Sequence, residues 1–414
     1  MPPHVVSALR LLVCGDLHVG RRPSRIPSEA PGLDGATVLR AAVDAAVERR
    51  VDAVLLAGDL ADASNRFYEA FGLLETQLRR LADAGIPALL VGGADDHDVA
   101  GPLADAVGSP LVRAVGRGGT WEAVALPLDG PPAAQVVGWS RPARASASPL
   151  DAFPDAGDAP VVGLLHADDA TDEALAATPA VVWIVGGDHT PSVTGDAPLV
   201  VRPGSLQPLA PDDTDDHGAW LVTLDASGAR AAPVPLATLR YTVLDVDLSD
   251  AATPEAARAA VLDALRALAS SVRDESPTVR HLAVSVCLAG RSASARHAAT
   301  IVADLAGEEV ERDGLTARVA HVTDDLRPAL DLDRLADGSG PAAALARLAR
   351  RLDAGTLTDA DRALVARAEA AVRDARRARV FDPLAERLDG DASDEARRRL
   401  HRQTLRLLDA VAAR

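Results

Sequence analysis

The sequence predicts an α/β domain with its functional site at the carboxyl ends of the strands, followed by a small α+β unit and a helical tail. Three observations carry that expectation. Up to about residue 208, short unbroken apolar runs alternate with amphipathic stretches; from Arg240, strand and helix patterns alternate one for one; after Pro341 only helical periodicity is left.

The runs at 11–14 (LLVC), 53–57 (AVLLA), 88–91 (ALLV), 161–165 (VVGLL), 181–185 (VVWIV) and 199–201 (LVV) have the continuous apolar character of strands buried on both faces. Between the first three lie two amphipathic helices, 36–50 with Val38, Ala42 and Val43 on one side, and 67–84 with Leu74, Leu78 and Leu81. This βαβ rhythm gives a layered α/β domain, and the strands that carry the candidate site are expected in one sheet. A Pro-, Ala- and Asp-rich piece, 141–160, reads as a surface loop inside the domain. Next come strand 241–246, helix 254–272, strand 281–287, helix 294–306 and strand 317–322, a small α+β unit. The tail holds helices at 342–352, 359–379 and 394–413. In the last, Leu400, Thr404, Leu408 and Val411 share a face that either packs on the body or docks another chain. The expected domains are 1–238, 239–330 and 331–414.

Composition narrows the functions. A chain of 414 residues exceeds one core of ordinary size, and 48% apolar with 25% charged residues is globular. All positive side chains are Arg, and the net charge of −17 argues against binding nucleic acid by a broad basic surface. The balance shifts along the chain: residues 341–414 hold 16 Arg against 12 acids, which makes the tail the expected place for an acidic partner. Cys14 and Cys287 lie in apolar runs without paired spacing, so neither a disulfide nor a zinc site is expected. No run approaches the roughly 18 apolar residues of a membrane span, and the first ten residues lack a secretory pattern. A cytoplasmic protein with no membrane contact is the expectation.

The chemistry lies where strands end. The first run leads into Gly15-Asp16-Leu17-His18-Val19-Gly20 and the second into Gly58-Asp59-Leu60-Ala61-Asp62; 161–165 delivers His166, and 181–185 is followed by Gly186-Gly187-Asp188-His189. Carboxylate and imidazole groups leaving buried strands beside glycines suit a divalent cation bound by oxygen and nitrogen. Four such strands in order make an ordinary set of turns a poor explanation.

In these motifs the chain resembles the calcineurin-like metallophosphoesterases, whose order is Asp-x-His, Gly-Asp-x-x-Asp, Gly-Asn-His-Asp, a strand-end His and Gly-His-x-His. Arg202-Pro203-Gly204-Ser205-Leu206-Gln207 and Asp325-Leu326-Arg327-Pro328 narrow the resemblance to the SbcD/YhaO type of DNA-repair exonuclease subunit. The resemblance implies an α/β/β/α phosphoesterase domain, a small α+β capping domain and a helical C-terminal region. It also implies a two-metal site, commonly manganese, for in-line hydrolysis of a phosphodiester in DNA. Its implied partners are a coiled-coil ATPase of the SbcC/YhaN type and a second copy of the chain as a homodimer.

Carried over residue by residue, the first metal takes Asp16, His18, Asp59 and His189, with Asp59 bridging and His166 on the second. The second site departs from the family. Ala94 stands at its Asn, Asp95 at its leaving-group histidine, Asp96 at its last Asp and Gly187 at a ligand His. Three outcomes stay open: a rearranged two-metal site in which Ala94-Asp95-Asp96-His97-Asp98 supplies Asp95 and His97 as catalytic groups, with Asp96 and Asp188 as substitute ligands; a one-metal or weakly active site; and loss of metal. His217, in Asp215-Asp216-His217-Gly218, is either a substrate contact or a solvated loop residue. A catalytically impaired DNA-binding subunit and a small-nucleotide phosphoesterase are the alternative functions.

Overall fold

The computed structural model describes residues 8–27, 32–62, 67–128, 132–144, 149–155, 157, 159–167, 169–376 and 392–412. The chain divides into two compact units, one of Met1–Thr242, Leu268–Val284 and Glu309–Ala320, the other of Val243–Ala267, Ser285–Glu308 and His321–Arg414.

The two large sheets of the first unit are built, among the described residues, from β1 (Leu9–Cys14), β2 (Ala53–Leu56), β3 (Ala88–Leu90), β4 (Val112–Ala114), β5 (Glu122–Leu126), β6 (Ala134–Trp139), β7 (Val161–His166), β8 (Val182–Gly186), β9 (Ser192–Thr194), β10 (Leu199–Arg202), β11 (Gly218–Asp225) and β12 (Gly228–Pro235). They form two six-stranded sheets, in the orders β12-β11-β1-β2-β3-β4 and β5-β6-β7-β8-β10-β9. The expectation of one sheet for the site-bearing strands is therefore corrected: β1 and β2 lie in the first sheet, β7 and β8 in the second. The reason is geometric. Strands buried on both faces look alike in sequence whether the second face meets helices or another sheet.

Alternation along each strand builds the layers. Leu12, Cys14, Val54, Leu56, Ala88 and Leu90 pack on helices α1 (Gly35–Arg49), α2 (Phe67–Asp83) and α3 (Ala100–Val107) through residues such as Val38, Leu39, Leu74, Leu78 and Leu103. Their neighbours Leu11, Val13, Ala53, Leu55 and Leu89 face inward against Val136, Val162, Leu164, Val182 and Ile184 of the second sheet. The outer side of that sheet is covered by α4 (Asp172–Ala176), a short 3-10 turn at Pro149–Ala152 and an aromatic cluster. In it, Trp121 meets Phe153 edge-on at 4.8 Å and Trp183 at 6.1 Å between ring centroids. Part of the expected surface loop 141–160 thus serves as core cover. This is the layered α/β/β/α arrangement expected from the resemblance.

A further sheet, in the order β13-β14-β17-β16, is built from β13 (Leu239–Asp247), β14 (His281–Ala289), β16 (Glu309–Arg312) and β17 (Leu315–Asp324). The first, second and fourth of these run on from one compact unit into the other. A two-residue parallel pair, β15 (Arg291–Ser292) with β18 (Arg327–Pro328), belongs to the second unit. Helix α5 (Pro254–Glu275) precedes β14. The expected helix at 294–306 resolves into a 3-10 turn, Ala293–His297, and α6 (Ala298–Leu305).

The second unit continues with α7 (Leu332–Ala336), α8 (Gly340–Ala354), α9 (Asp359–Arg376) and α10 (Ala392–Ala412). The ends of the expected helices at 377–379 and at 413 lie outside the described residues. Of the α10 stripe, Thr404 and Leu408 are buried, Leu408 against this unit's own Ala336 and Ala346, whereas Val411 is exposed. No helix among the described residues is long and apolar enough to cross a membrane. Cys14 and Cys287 are both free thiols.

Candidate metal centre

The strand ends of both sheets of the first unit meet at one place. Asp16 and His18 follow β1, Asp59 follows β2, His166 closes β7 and His189 follows β8. The loops after β1 and β2 are pinned together, His18 N–H donating to Asp59 O at 2.8 Å and Val19 N–H to Leu60 O at 3.0 Å. Asp16, His18 and Asp59 all have left-handed backbone, φ 45°, 41° and 47°. Such conformations are costly for side-chain-bearing residues and cluster where geometry serves a site.

Three groups of donor atoms result, each with its atoms within 4.8 Å of one another: Asp16, His18 and His189; Asp16, Asp59 and His166; His18, Asp59 and Asp95. Nε2 of His18 lies 3.2 Å from Nε2 of His189 and 3.8 Å from Oδ2 of Asp59. His166 is oriented by its other nitrogen: Nδ1 donates to Ala57 O at 3.0 Å, which leaves Nε2 as a lone-pair donor 3.5 Å from Asp59 Oδ2. Asp59 Oδ1 accepts from Asp95 N–H at 2.9 Å, so Oδ2 is the oxygen left to face the imidazoles. Both oxygens of Asp16 accept from Gly187 N–H at 3.1 Å. The position where the family carries a histidine thus contributes a backbone donor that holds a ligand.

Burial charges this arrangement with unrelieved electrostatics. Desolvation pushes the Asp16 carboxyl up to about 7 and the His18 imidazole down to about 4. Nδ1 of His18 is buried with no hydrogen-bond partner among the described residues. Buried carboxylates and imidazole lone pairs aimed at one another are a poor structural device and a fitting cation cradle; a divalent ion would convert each of these costs into a ligand bond. Two glycines make the approach feasible. At Gly58, with φ +87°, a Cβ would stand 2.7 Å from His166 Nδ1, and at Gly93 it would stand 2.1 Å from Asp59 Oδ1.

The remaining sequence-predicted residues are placed as follows. Asp95 is largely exposed, with Oδ2 3.9 Å from His18 Nδ1, and joins the third donor group. Asp96 is fully buried, but its oxygens accept from Gly93, Leu60 and Ala61 N–H at 2.7, 2.6 and 3.3 Å, so it ties the loops after β2 and β3 together and joins no donor group. Asp188 is exposed and caps Thr190 N–H at 2.9 Å; His97 is exposed; neither joins a donor group. His217 is 3% exposed, which corrects its reading as a solvated loop residue. Its Nδ1 faces Ser205 O at 2.8 Å and Ser205 Oγ at 3.1 Å.

Two residues were not read from the sequence as part of the site. Buried Ser205 links His217 to the centre, its N–H donating to His189 O at 3.0 Å; the Pro-Gly-Ser segment was the signal that pointed to it. Arg21 follows the first histidine loop, and its positive charge reaches both His18 and Asp95.

Residues 9–121 match the family model of the calcineurin-like phosphoesterases. The matched residues include Asp16, His18, Asp59 and Asp95, and the two sheets and the candidate metal ligands agree with the match. Among individual proteins, it is 30% identical over 198 residues to "Uncharacterized metallophosphoesterase YhaO" of Bacillus subtilis (strain 168), covering 44% of this chain and 48% of that protein. The chain therefore spans about half the length of the curated relative it matches. Two solved structures are similar at a TM-score of 0.36, each covering 55% of this chain and 99% of the other: TT1561 of Thermus thermophilus, 17% identical, and a dimetal phosphatase from Danio rerio, 15% identical.

Proposed function

We propose that this chain is a divalent-metal-dependent phosphodiesterase of the SbcD/YhaO type that processes DNA ends beside a coiled-coil ATPase. The observation that carries the reading is the convergence of Asp16, His18, Asp59, His166 and His189 in a cluster drawn from both sheets. Asp16, His18, Asp59 and His189 would hold a first cation; Asp59 and His166, with Asp95 on the exposed side, would hold a second. The mixed oxygen and nitrogen donors suit manganese. Bound there, such a cation polarises a phosphoryl oxygen and activates water at neutral pH.

The chain's own residues prepare the site. Gly187 N–H and the Ala57 carbonyl fix the orientations of Asp16 and His166, Asp96 locks two loops, and Arg21 places a positive charge where a phosphate would enter. The arginine-rich helices after Pro341 support an acidic or ATPase partner.

A second reading is favoured by alanine at position 94 and by the exposure of His97, which leave the leaving-group side without an imidazole. It is a DNA-binding or regulatory subunit with little turnover. One experiment separates them. With manganese, the wild type should hydrolyse a chromogenic phosphodiester and degrade linear duplex DNA, and Asp16→Ala and Asp59→Ala should each lose about 100-fold or more. Intact substrates with every divalent metal tried, in a folded wild type, would leave only the subunit reading.

A further inference from the structure

We propose that the second compact unit carries a pocket for a phosphate oxyanion, lined by Arg327, Arg398, His401 and Arg402. This site does not rest on the metal-centre reading. It lies where α10 passes the β15–β18 pair, and it encloses a cavity of about 60 Å³.

Three observations carry it. Arg291 and Arg327 are direct partners in the register of the parallel pair, so two exposed guanidinium groups leave the backbone side by side. Like charges placed opposite each other destabilise a strand pair, and neither has a carboxylate partner among the described residues. Second, His401 lines the cavity with Nε2 buried and without a hydrogen-bond partner among the described residues, and the charges of both arginines reach its ring. A buried polar nitrogen left unsatisfied is costly, a cost that a bound oxyanion would relieve. Third, the neighbouring arginines of α10 are engaged: Arg397 with Asp394, Arg399 with Glu395, Arg402 with Asp325 and Arg406 with Asp324. Arg398 alone among them has no ion pair among the described residues, and it lines the cavity.

In a chain of 60 acids and 43 arginines, three arginines in one place without an ion pair among the described residues are poorly explained by folding alone. The carboxylates nearby do not cancel them. Asp325 also lines the cavity but is paired with Arg402, and the charge of Asp353 on α8 reaches His401. The cavity has room for a single phosphate group. Planar guanidinium forks match phosphate oxygens in pairs. The same chemistry is offered by free phosphate and by one backbone phosphate of a nucleic acid.

The test is a titration of the metal-free, full-length protein, selectively ¹⁵N-labelled at histidine, at constant ionic strength. One arm uses inorganic phosphate, the other a short single-stranded oligonucleotide, and His401→Gln assigns the resonance. A saturable shift of His401 is expected, weakened about tenfold or more in Arg327→Ala and in Arg398→Ala, both exposed substitutions that leave thermal unfolding unchanged. A response to phosphate alone assigns free phosphate; a response to the oligonucleotide at lower concentration assigns a backbone phosphate. No saturable shift in either arm, an equal response to acetate or chloride, or undiminished binding in both arginine variants would overturn the site.

Discussion

Arg21 illustrates how much one side chain can be asked to do. Its backbone N–H donates to His18 O at 2.9 Å, so the guanidinium is anchored at the first ligand loop while remaining outside every donor group. It forms no ion pair among the described residues, and a phosphate entering beside Asp95 would be its natural partner. A charge-assisted hydrogen bond of about 1.5–3 kcal/mol made equally to substrate and transition state raises affinity without raising turnover. Arg21→Ala is therefore expected to raise KM about tenfold or more with kcat within about twofold, measured by initial rates on a chromogenic phosphodiester. A fall in kcat at unchanged KM would instead place Arg21 in the chemical step. At this scale the sequence was informative where a residue is the first polar group beyond a buried strand, as Asp16, Asp59 and His166 are. It was silent where a role depends on what approaches from another loop. Asp96 reads as a ligand candidate by position, and only the three backbone N–H groups around it show that its oxygens are occupied. His217 sits among polar residues in sequence and is enclosed by the Ser205 segment in space.

Among the elements, α9 shows a start signal that can be tested on its own. Thr358 and Asp361 cap each other reciprocally: Thr358 N–H donates to Asp361 Oδ2 at 2.9 Å and Asp361 N–H to Thr358 Oγ1 at 3.2 Å. The Arg351 guanidinium adds two bonds, 2.6 and 2.9 Å, and holds the Asp361 carboxyl well below the usual carboxylate range. Because the folded carboxyl is the stronger acid, its contribution is fully present above the unfolded value of about 4. It is lost as pH falls through the lower folded value. Asp361→Ala should cost about 2 kcal/mol near neutral pH. That corresponds to roughly 30-fold faster amide exchange along α9, read by hydrogen–deuterium exchange, with the difference shrinking in acid. Exchange in α9 unchanged by the substitution would remove the cap from the account. Elements with strong periodicity, such as α1, α2 and β1 to β3, were legible before any coordinates. The strands β4, β5 and β6 were not, because Arg113, Glu122 and Gln135 interrupt their apolar runs and their partners are distant in sequence. Glu122 shows why: its carboxylate accepts from Gly116 N–H at 3.0 Å, a contact no periodicity announces.

For the first unit as a whole, the two sheets share one inner core, and the candidate centre draws on both of them. Asp16, His18 and Asp59 come from the β1 and β2 ends, His166 and His189 from β7 and β8, so a cation held between them would act as a clasp across the layers. Apolar packing already joins the sheets through residues such as Leu55 and Leu164, and the polar cluster above it opposes that packing with desolvated charge. Metal binding should reverse the sign of that local contribution, since any ligand that binds only the folded state stabilises it by mass action, about 2.7 kcal/mol at 100 times its dissociation constant. The wild type is accordingly expected to unfold at a higher temperature in manganese than in chelator. The increment should vanish in Asp59→Asn, which removes the carboxylate charge shared by two donor groups, and persist in Asp188→Asn, which joins none. Differential scanning calorimetry with matched ionic strength is the measurement. With 60 acidic residues on the chain, weak surface binding of cations is the competing explanation, and it predicts that Asp59→Asn and Asp188→Asn behave alike. Equal increments in both variants would mean that the clasp does not form and that the cluster holds no ion tightly enough to join the sheets.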